Sequence, residues 1–419
     1  MDNSQEKTYI REQFLIFVVA GSYLLHMLRN ITEAYSAIPI LASGIGILFL
    51  LGKRARVDSV GFSILLVFIL SYFLPLVYSF LWYPDESYII PFARYLYIIP
   101  FAIFCIYAIS DTPLFVYLLK VFSLFIIIGG LSIFYQIVFG PILWFPEASE
   151  REGLVRFSSL VGSLTAYGIF GGLALPIIYF LFENKLIRNF SLVIVLMAML
   201  CTLQKAAIAN IVLFVIFLTL SGGLLNKIKI IGFVALILPV VVFIFYYLDI
   251  SYVVATVDNI LRFKEGSGDS DVPFFQSILD RLWFLPSQLY EMHGPSGMLY
   301  GVGMVGGSGT LGFPEYPMAH NGFFDLLFIG GILNLLVFTT VASFVLVRLS
   351  RLKAWCDPQS FTHKALKVSS FIYILLLINM LFAGPMHVQP YGGVIFYAIT
   401  VFICLRRDEI KRFALNEQS

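Results

Sequence analysis

The sequence predicts an all-α integral membrane protein with about twelve transmembrane helices, and three observations predict it. Hydrophobic residues make up 59% of the 419-residue chain and charged residues only 12%, whereas roughly a quarter of a soluble protein is charged. Apolar segments long enough to cross a bilayer recur along the whole chain. Lysine and arginine concentrate in alternate connecting segments, as they do in the cytoplasmic loops of membrane proteins. This composition excludes a soluble enzyme, a disordered chain and a coiled coil, and the net charge of +2 gives no reason to expect nucleic acid as a partner.

The spans follow from hydrophobic length. A span needs about 20 mostly apolar residues, because lipid offers the backbone no hydrogen-bond partner outside its own helix. The predicted spans are 12–28, 35–52, 58–82, 91–109, 113–139, 159–182, 187–203, 206–222, 230–248, 319–347, 367–383 and 389–405. No small-x-small cleavage site follows the first segment, so we predict a span there rather than a cleaved signal peptide.

The basic residues predict the orientation. If the N-terminus is inside, 18 of the 27 lysines and arginines fall in inner segments, which predicts that both termini are cytoplasmic. Eight fall in outer segments: Arg29, Arg94, Arg151, Arg156, Lys205, Arg262, Lys264 and Arg281. Two outer segments are long, 140–158 and 249–318. The second is predicted to form a large loop subdomain of an otherwise single polytopic domain.

A histidine and an asparagine, His320 and Asn321, lie where the long outer loop is predicted to enter the tenth span. Partial positive charge at a helix N-terminus disfavours imidazolium and keeps the ring neutral. A neutral imidazole can take a proton from an attacking hydroxyl. The alternative is a histidine that caps a helix at the membrane surface, and the sequence leaves both open.

Outer basic residues are the second group of candidates. Lys205 lies in the short turn between the seventh and eighth spans, where it would bind an anion such as a lipid phosphate or extend towards the headgroups. Arg281 lies in the large loop, and Arg151 and Arg156 lie in the other long outer segment. Several guanidinium groups at one membrane surface would suit a pyrophosphate. The alternative for each arginine is a solvated loop residue.

Two further motifs give weaker evidence about function. Gly301, Gly303 and Gly306 match the dinucleotide fingerprint G-x-G-x-x-G, but that motif binds a nucleotide only between a strand and a helix of a βαβ unit. In an outer loop these glycines predict flexibility or a close backbone approach to a ligand. Asp269 and Asp271 form a D-x-D pair in a polar stretch typical of a linker. We therefore expect no metal site and metal-independent chemistry.

The combined pattern resembles the O-antigen ligase and polymerase superfamily of bacterial inner-membrane glycosyltransferases. Members share a similar number of spans and one large outer loop late in the chain. The loop carries an R-x-x-x-L element, a G-x-G stretch and then His-Asn, which match Arg281–Leu285, Gly301–Gly303 and His320–Asn321 here. Lys205 matches a basic residue, usually arginine, that opens the helix after the seventh span in members of the family.

The resemblance implies a GT-C-like fold and a reaction at the periplasmic face. The donor would be an oligosaccharide on undecaprenyl pyrophosphate, held in the outer leaflet of membrane lipid, and the acceptor a sugar hydroxyl. No cofactor is expected, because the lipid pyrophosphate is already an activated leaving group. A chain-length regulator protein is an expected partner.

The resemblance also implies roles for residues. Arg281 and Lys205 would bind the pyrophosphate, with Arg156 and Arg151 adding weaker contacts. His320 would be the general base. These roles predict direct attack of the acceptor on the anomeric carbon, with inversion and no covalent enzyme intermediate. Asn321 would position the acceptor.

Three functions stay open at this stage. A polymerase adds lipid-linked repeat units to a growing chain, and a ligase moves finished chains onto lipid A core. The polymerase is favoured, because Asn334 stands where ligases have glycine, threonine or tyrosine, and because the chain is rich in phenylalanine, tyrosine and isoleucine. A flippase or transporter of lipid-linked oligosaccharide is the third. It is disfavoured because no internal repeat is visible and because the long loops are outer.

Overall fold

The computed structural model describes most of the chain outside the large loop. The described residues are 3–52, 58–82, 96–145, 149–151, 154–162, 164–202, 204–221, 287, 289–291, 294–301, 303, 321–381, 383–384 and 386–405. They form two compact units, one built from residues 1–123 and 282–419 and the other from residues 124–281. The boundary between the units falls within one long helix.

The first unit is a bundle of α-helices. In chain order these are α1 (Asn3–Leu24), α2 (Ile38–Leu50), α3 (Ser59–Ser71), α4 (Phe73–Trp82), α5 (Ile99–Ala108), the start of α6 (Thr112–Phe139), and the last three helices, α10 (Gly322–Trp355), α11 (Phe361–Met380) and α12 (Pro390–Leu405). The local sequence explains where two of these helices begin. Pro39 opens α2 and Asp58 caps α3, because a proline needs no donor in the first turn and an aspartate supplies an acceptor for the free N–H groups.

The core of this unit is α12. Every residue from Tyr391 to Leu405 is buried, and the helix packs against α1, α3, α5, α10 and α11. A helix that is apolar on all sides belongs in the middle of a bundle. Glycines allow the closest approaches, since a Cβ on Gly61 of α3 would overlap the carbonyl of Cys404, and one on Gly393 would lie 2.6 Å from a side-chain carbon of Ile98.

One end of the first unit is tied by an ion pair. Arg348 of α10 lies 2.7 Å from Asp58 at the start of α3, and its guanidinium donates to the Cys404 carbonyl at the end of α12 at 2.7 Å. The other end brings the last turn of α1 to the first turn of α12, where the Tyr391 hydroxyl donates to the Leu24 carbonyl. The end of α12 therefore lies at the start of α3, and its beginning lies at the end of α1.

The second unit holds the rest of α6, a β-hairpin of β1 (Ser149–Arg151) and β2 (Leu154–Arg156), and three helices, α7 (Leu164–Leu181), α8 (Lys185–Cys201) and α9 (Lys205–Ser221). Helix α7 packs on both α8 and α9. Small residues bring α7 and α9 together, since a Cβ on Gly168 would lie 3.0 Å from Ala207 Cβ, and the Asn210 amide donates to the Gly168 carbonyl at 3.2 Å. Close contact through small and amide side chains is typical of helix packing in membranes.

Within the described residues, five helical stretches are long and apolar enough to cross a membrane: Glu33–Leu50, Ser59–Tyr78, Thr112–Phe139, Gly322–Trp355 and Phe361–Met380. Shorter apolar helices lie inside the predicted fourth, sixth, eighth and twelfth spans. Large apolar side chains such as Leu48, Phe139 and Leu220 are exposed, as lipid-facing positions are. This part of the chain is almost entirely helical and has the build of an α-helical membrane protein. The predicted ninth span, 230–248, lies outside the described residues.

Helix α10 departs most from the predicted pattern. It continues to Trp355, so most of the basic segment predicted as a loop after 347 is helical, and only residues 356–360 connect it to α11. It is also broken near its start, where Gly330 (φ −128°, ψ 15°) and Gly331 (φ 65°, ψ −167°) leave the helical region. A short first segment, 322–329, therefore precedes a long second one.

Candidate functional site

The N-terminus of α10 is held by Asn321. Its Oδ1 accepts from the backbone N–H groups of Phe323 at 3.0 Å and Phe324 at 3.3 Å, and the residue is only 8% exposed. The helix therefore begins at Gly322, close to the predicted start of the tenth span. The capping role that the sequence left open for His320 belongs to Asn321. The predicted part of Asn321 in positioning an acceptor stays a prediction.

The two outer arginines of the segment 140–158 lie in the β-hairpin, which the sequence did not predict. The strands are antiparallel, with Arg156 opposite Ser149 and Arg151 opposite Leu154, so the backbones of both arginines belong to one small structure. The turn after the hairpin is fastened to α6. Buried Gln136 donates to the Ser158 carbonyl at 2.8 Å.

A second bond holds the same turn. The Leu160 N–H donates to Ser132 Oγ of α6 at 3.1 Å. Together these bonds fix the base of the hairpin next to the start of α7.

Lys205 is the first residue of α9, as predicted for a basic residue that opens a helix. The first turns of α7 and α9 lie side by side, because Gly168 meets Ala207. Arg156 precedes α7 closely in the chain, and Lys205 precedes Ala207 by two residues. The backbones of Arg156 and Lys205 are therefore brought to the same end of the second unit.

The remaining predicted residues are not placed. His320 and Arg281 both lie outside the described residues, as does most of the predicted loop subdomain 249–318. What can be described of that loop includes the helical residues 294–300 and the glycines that follow. The expectation that His320 and Arg281 lie close to Lys205 stays a prediction.

The Gly301–Gly303 stretch packs against the break in α10. The Gly303 N–H donates to the Ile329 carbonyl at 2.9 Å, and a Cβ on Gly301 would lie 2.6 Å from the Gly331 nitrogen. Gly301, Gly303 and Gly331 all have positive φ. The close backbone approach that the sequence predicted for these glycines is therefore to α10 itself. It fixes Gly301 and Gly303, inside the predicted large loop, on the helix that Asn321 caps.

Two polar residues that the sequence analysis did not select lie near this helix start. Asp325 is in the first turn of α10, and Gln389 directly precedes α12. A Cβ built on Gly384 would lie 3.5 Å from Asp325 Oδ2 and 3.7 Å from Gln389 Nε2. Sequence offered one signal, since a carboxylate inside a predicted span is rare and usually functional. Its amide neighbour, Gln389, comes from the residue just before another helix.

His387 lies close in sequence to Gln389 but in a different environment. Its ring is fully buried and lies 4.8 Å from the ring of Phe338 and 5.9 Å from that of Tyr72. Burial lowers the pKa of His387 to about 3, because an apolar surrounding disfavours the imidazolium. This histidine is neutral and packs as part of an aromatic cluster.

No protein-family model matches the chain, and no curated protein is similar to it. Within the described ranges, no three histidine, cysteine, aspartate or glutamate side chains gather as metal ligands would. The described geometry thus supplies two polar helix starts. One is Asn321 with Asp325 in the first unit, and the other is Lys205 in the second unit, at the same end as the backbone of Arg156.

Proposed function

We propose that this chain is an O-antigen polymerase of the bacterial inner membrane. It would transfer a glycan from undecaprenyl pyrophosphate to a lipid-linked repeat unit at the periplasmic face, with both termini in the cytoplasm. The fold would be GT-C-like with about twelve spans. A chain-length regulator is the expected protein partner.

The observation that carries the proposal is the start of α10. Asn321 supplies the cap, so the helix start does not need the imidazole of His320, the residue that precedes Asn321 in the chain. An imidazole close to the positive end of a helix would be kept neutral by the helix dipole. A neutral imidazole next to an acceptor hydroxyl is the arrangement that general base catalysis requires.

The second support is the basic end of the second unit. Arg156 in the hairpin and Lys205 at the start of α9 share that end. The N–H groups of a helix start add partial positive charge to the lysine. Cations held at the end of a helical bundle suit a diphosphate at a membrane surface, where charge develops as the glycosidic bond breaks.

The proposed reaction is a single displacement. The acceptor oxygen forms a bond to the anomeric carbon of the donor sugar while the bond from that carbon to the pyrophosphate oxygen breaks. The acceptor proton passes to His320, and undecaprenyl pyrophosphate leaves with its charge held by Arg281 and Lys205, and more weakly by Arg156 and Arg151. The configuration at the anomeric carbon is inverted.

The polymerase is preferred over the ligase because of Asn334. This residue is 2% exposed and packs directly on Gly330 at the break in α10. The glycine, threonine or tyrosine of the ligase pattern would pack differently there. A flippase is the third candidate, and it would need its basic residues along a central cavity rather than at one end of the bundle.

The test of function is the lipopolysaccharide banding of a deletion strain. Loss of a polymerase leaves core with one repeat unit and removes the ladder. Loss of a ligase removes the single capped band as well. Loss of a flippase leaves no repeat unit accessible on the outer side of the membrane, so the three outcomes are distinct.

The test of the residues uses the same strain. We expect His320→Ala and Arg281→Ala each to abolish the ladder while the protein stays in the membrane fraction. Arg351→Ala is the matched control, because Arg351 is exposed near the opposite end of α10. A full ladder from both substituted proteins would overturn the assignment of these residues.

A further inference from the structure

The carboxylate of Asp325 has an unusual position for a membrane protein. Asp325 lies in the first turn of α10, where the backbone N–H of this residue donates to the Asn321 carbonyl at 3.0 Å. Its side chain is partly buried, and it makes no ion pair or hydrogen bond with another described residue. A carboxylate that has no donor among the described residues can accept hydrogen bonds from a ligand.

Gln389 faces the same small space. The point where a Gly384 Cβ would stand is 3.5 Å from Asp325 Oδ2 and 3.7 Å from Gln389 Nε2. The backbone at Gln389 is fixed, because its N–H donates to the Met386 carbonyl at 3.2 Å and its carbonyl accepts from Gly393 at 2.6 Å. An acceptor from α10 and a donor from the residue just before α12 thus both lie close to Gly384, which has no side chain of its own at that point.

Charge decides which ligand fits. A carboxylate repels a diphosphate, so this space does not suit the leaving group of the donor lipid. A carboxylate with one amide is also a poor calcium or magnesium site, since these cations take about six or more oxygen ligands. Hydroxyl groups fit best, because they donate strong hydrogen bonds to a carboxylate and accept from an amide.

We propose that Asp325 and Gln389 form a subsite that binds hydroxyl groups of the acceptor sugar. This inference rests on the proposed transferase function and adds the acceptor side to it. Asp325 stands about one helical turn, roughly 6 Å along the axis, from Asn321. A sugar bound by Asp325 would therefore have another hydroxyl near the helix start, where His320 would take its proton.

The experiment is a transfer assay with the purified full-length protein in lipid nanodiscs. The donor is undecaprenyl-pyrophosphate-linked repeat units extracted from the deletion strain. The acceptor is the same oligosaccharide as a benzyl glycoside, which has no pyrophosphate and can only accept. We expect Asp325→Asn to raise the acceptor KM at least tenfold while the donor KM changes less than twofold. Gln389→Leu should raise the acceptor KM in the same direction.

A substitution at a glycine gives a second test with a variant that should fold normally. A Cβ on Gly384 would make ordinary van der Waals contacts, so Gly384→Ala should fold normally while it partly fills the subsite. It should raise the acceptor KM several-fold. The matched control is Gly44→Ala, where a Cβ meets nothing within 4 Å and both KM values should stay unchanged.

The assay distinguishes failure of the proposed function from failure of the subsite. No transfer by the unsubstituted protein to any acceptor would overturn the proposed function, and this subsite with it. Transfer with an unchanged acceptor KM in both Asp325→Asn and Gly384→Ala would overturn the subsite alone. A fall in kcat with no change in acceptor KM would also overturn it, because a binding subsite must act on KM.

Discussion

Arg348 shows how a single charged residue can organise one end of a helical bundle. Its side chain is 10% exposed and lies 2.7 Å from Asp58, while the same guanidinium donates to the Cys404 carbonyl and stacks on the Phe344 ring. Three helices, α3, α10 and α12, therefore meet on one cation. The planar fork of arginine allows these contacts at once, whereas a lysine would not.

We expect Arg348→Ala to lower the free energy of unfolding by about 3 kcal/mol, because removing one member of a buried pair leaves the other charge uncompensated. The measurement is a melting curve with a thiol-reactive dye, since Cys105, Cys356 and Cys404 are buried and become reactive on unfolding. Arg351→Ala on the same helix is the control and should melt like the unsubstituted protein. Equal melting of both variants would contradict the structural role of the pair.

At the scale of elements, the glycine pair in α10 forms the place where the Gly301–Gly303 stretch packs. The break at Gly330 and Gly331 frees the Ile329 carbonyl, which accepts from Gly303. Leu289, before the glycine stretch, packs against Leu327 and Phe328 of the first helical segment. Leu289, the Gly301–Gly303 stretch and the first segment of α10 thus form one packed structure.

We expect Gly331→Ala to destabilise this structure by about 1–3 kcal/mol, the range for over-packed positions. A Cβ there would overlap the Leu299 carbonyl, and the φ of 65° disfavours alanine independently. We therefore expect the variant to lose most of its glycan transfer while its melting temperature changes less. Protease sensitivity at residues 299–303, measured beside the dye melting curve, reports the local change.

The sequence predicted elements well where the signal is local. Apolar length marked the helices, and Lys205 and Asn321 lie close to the predicted starts of the eighth and tenth spans. It did not predict that α10 continues to Trp355, because positive residues beyond a span usually mark a loop. Arg348, the first of these residues, pairs instead with Asp58, which is distant in the chain. The hairpin that carries Arg151 and Arg156 was also missed, since strands this short leave no pattern.

At the scale of the whole molecule, the packing of distant segments decides which polar residues become neighbours, and the sequence alone does not show this. Asp325 and Gln389 are 64 positions apart, and only the packing of the chain segments around Gly384 brings them together. The basic end of the second unit has the same origin, because Gly168 and Ala207 set α7 beside α9. Residue type marked the candidates in the second unit, but no local pattern marks a partner on another helix.

The proposed function makes one demand on the whole chain, that its outer basic residues and its base face the same compartment. We expect single cysteines at Arg156, Lys205, Arg281 and His320 to react with a membrane-impermeant maleimide added to intact spheroplasts. The four native cysteines would be replaced by alanine in this background. A cysteine at Arg351 should react only after the membrane is permeabilised, because that residue is predicted to be cytoplasmic. The prediction fails if the cysteine at position 351 is labelled from outside. It also fails if a cysteine at any of the four outer positions reacts only after permeabilisation, because these side chains could then not share one lipid diphosphate.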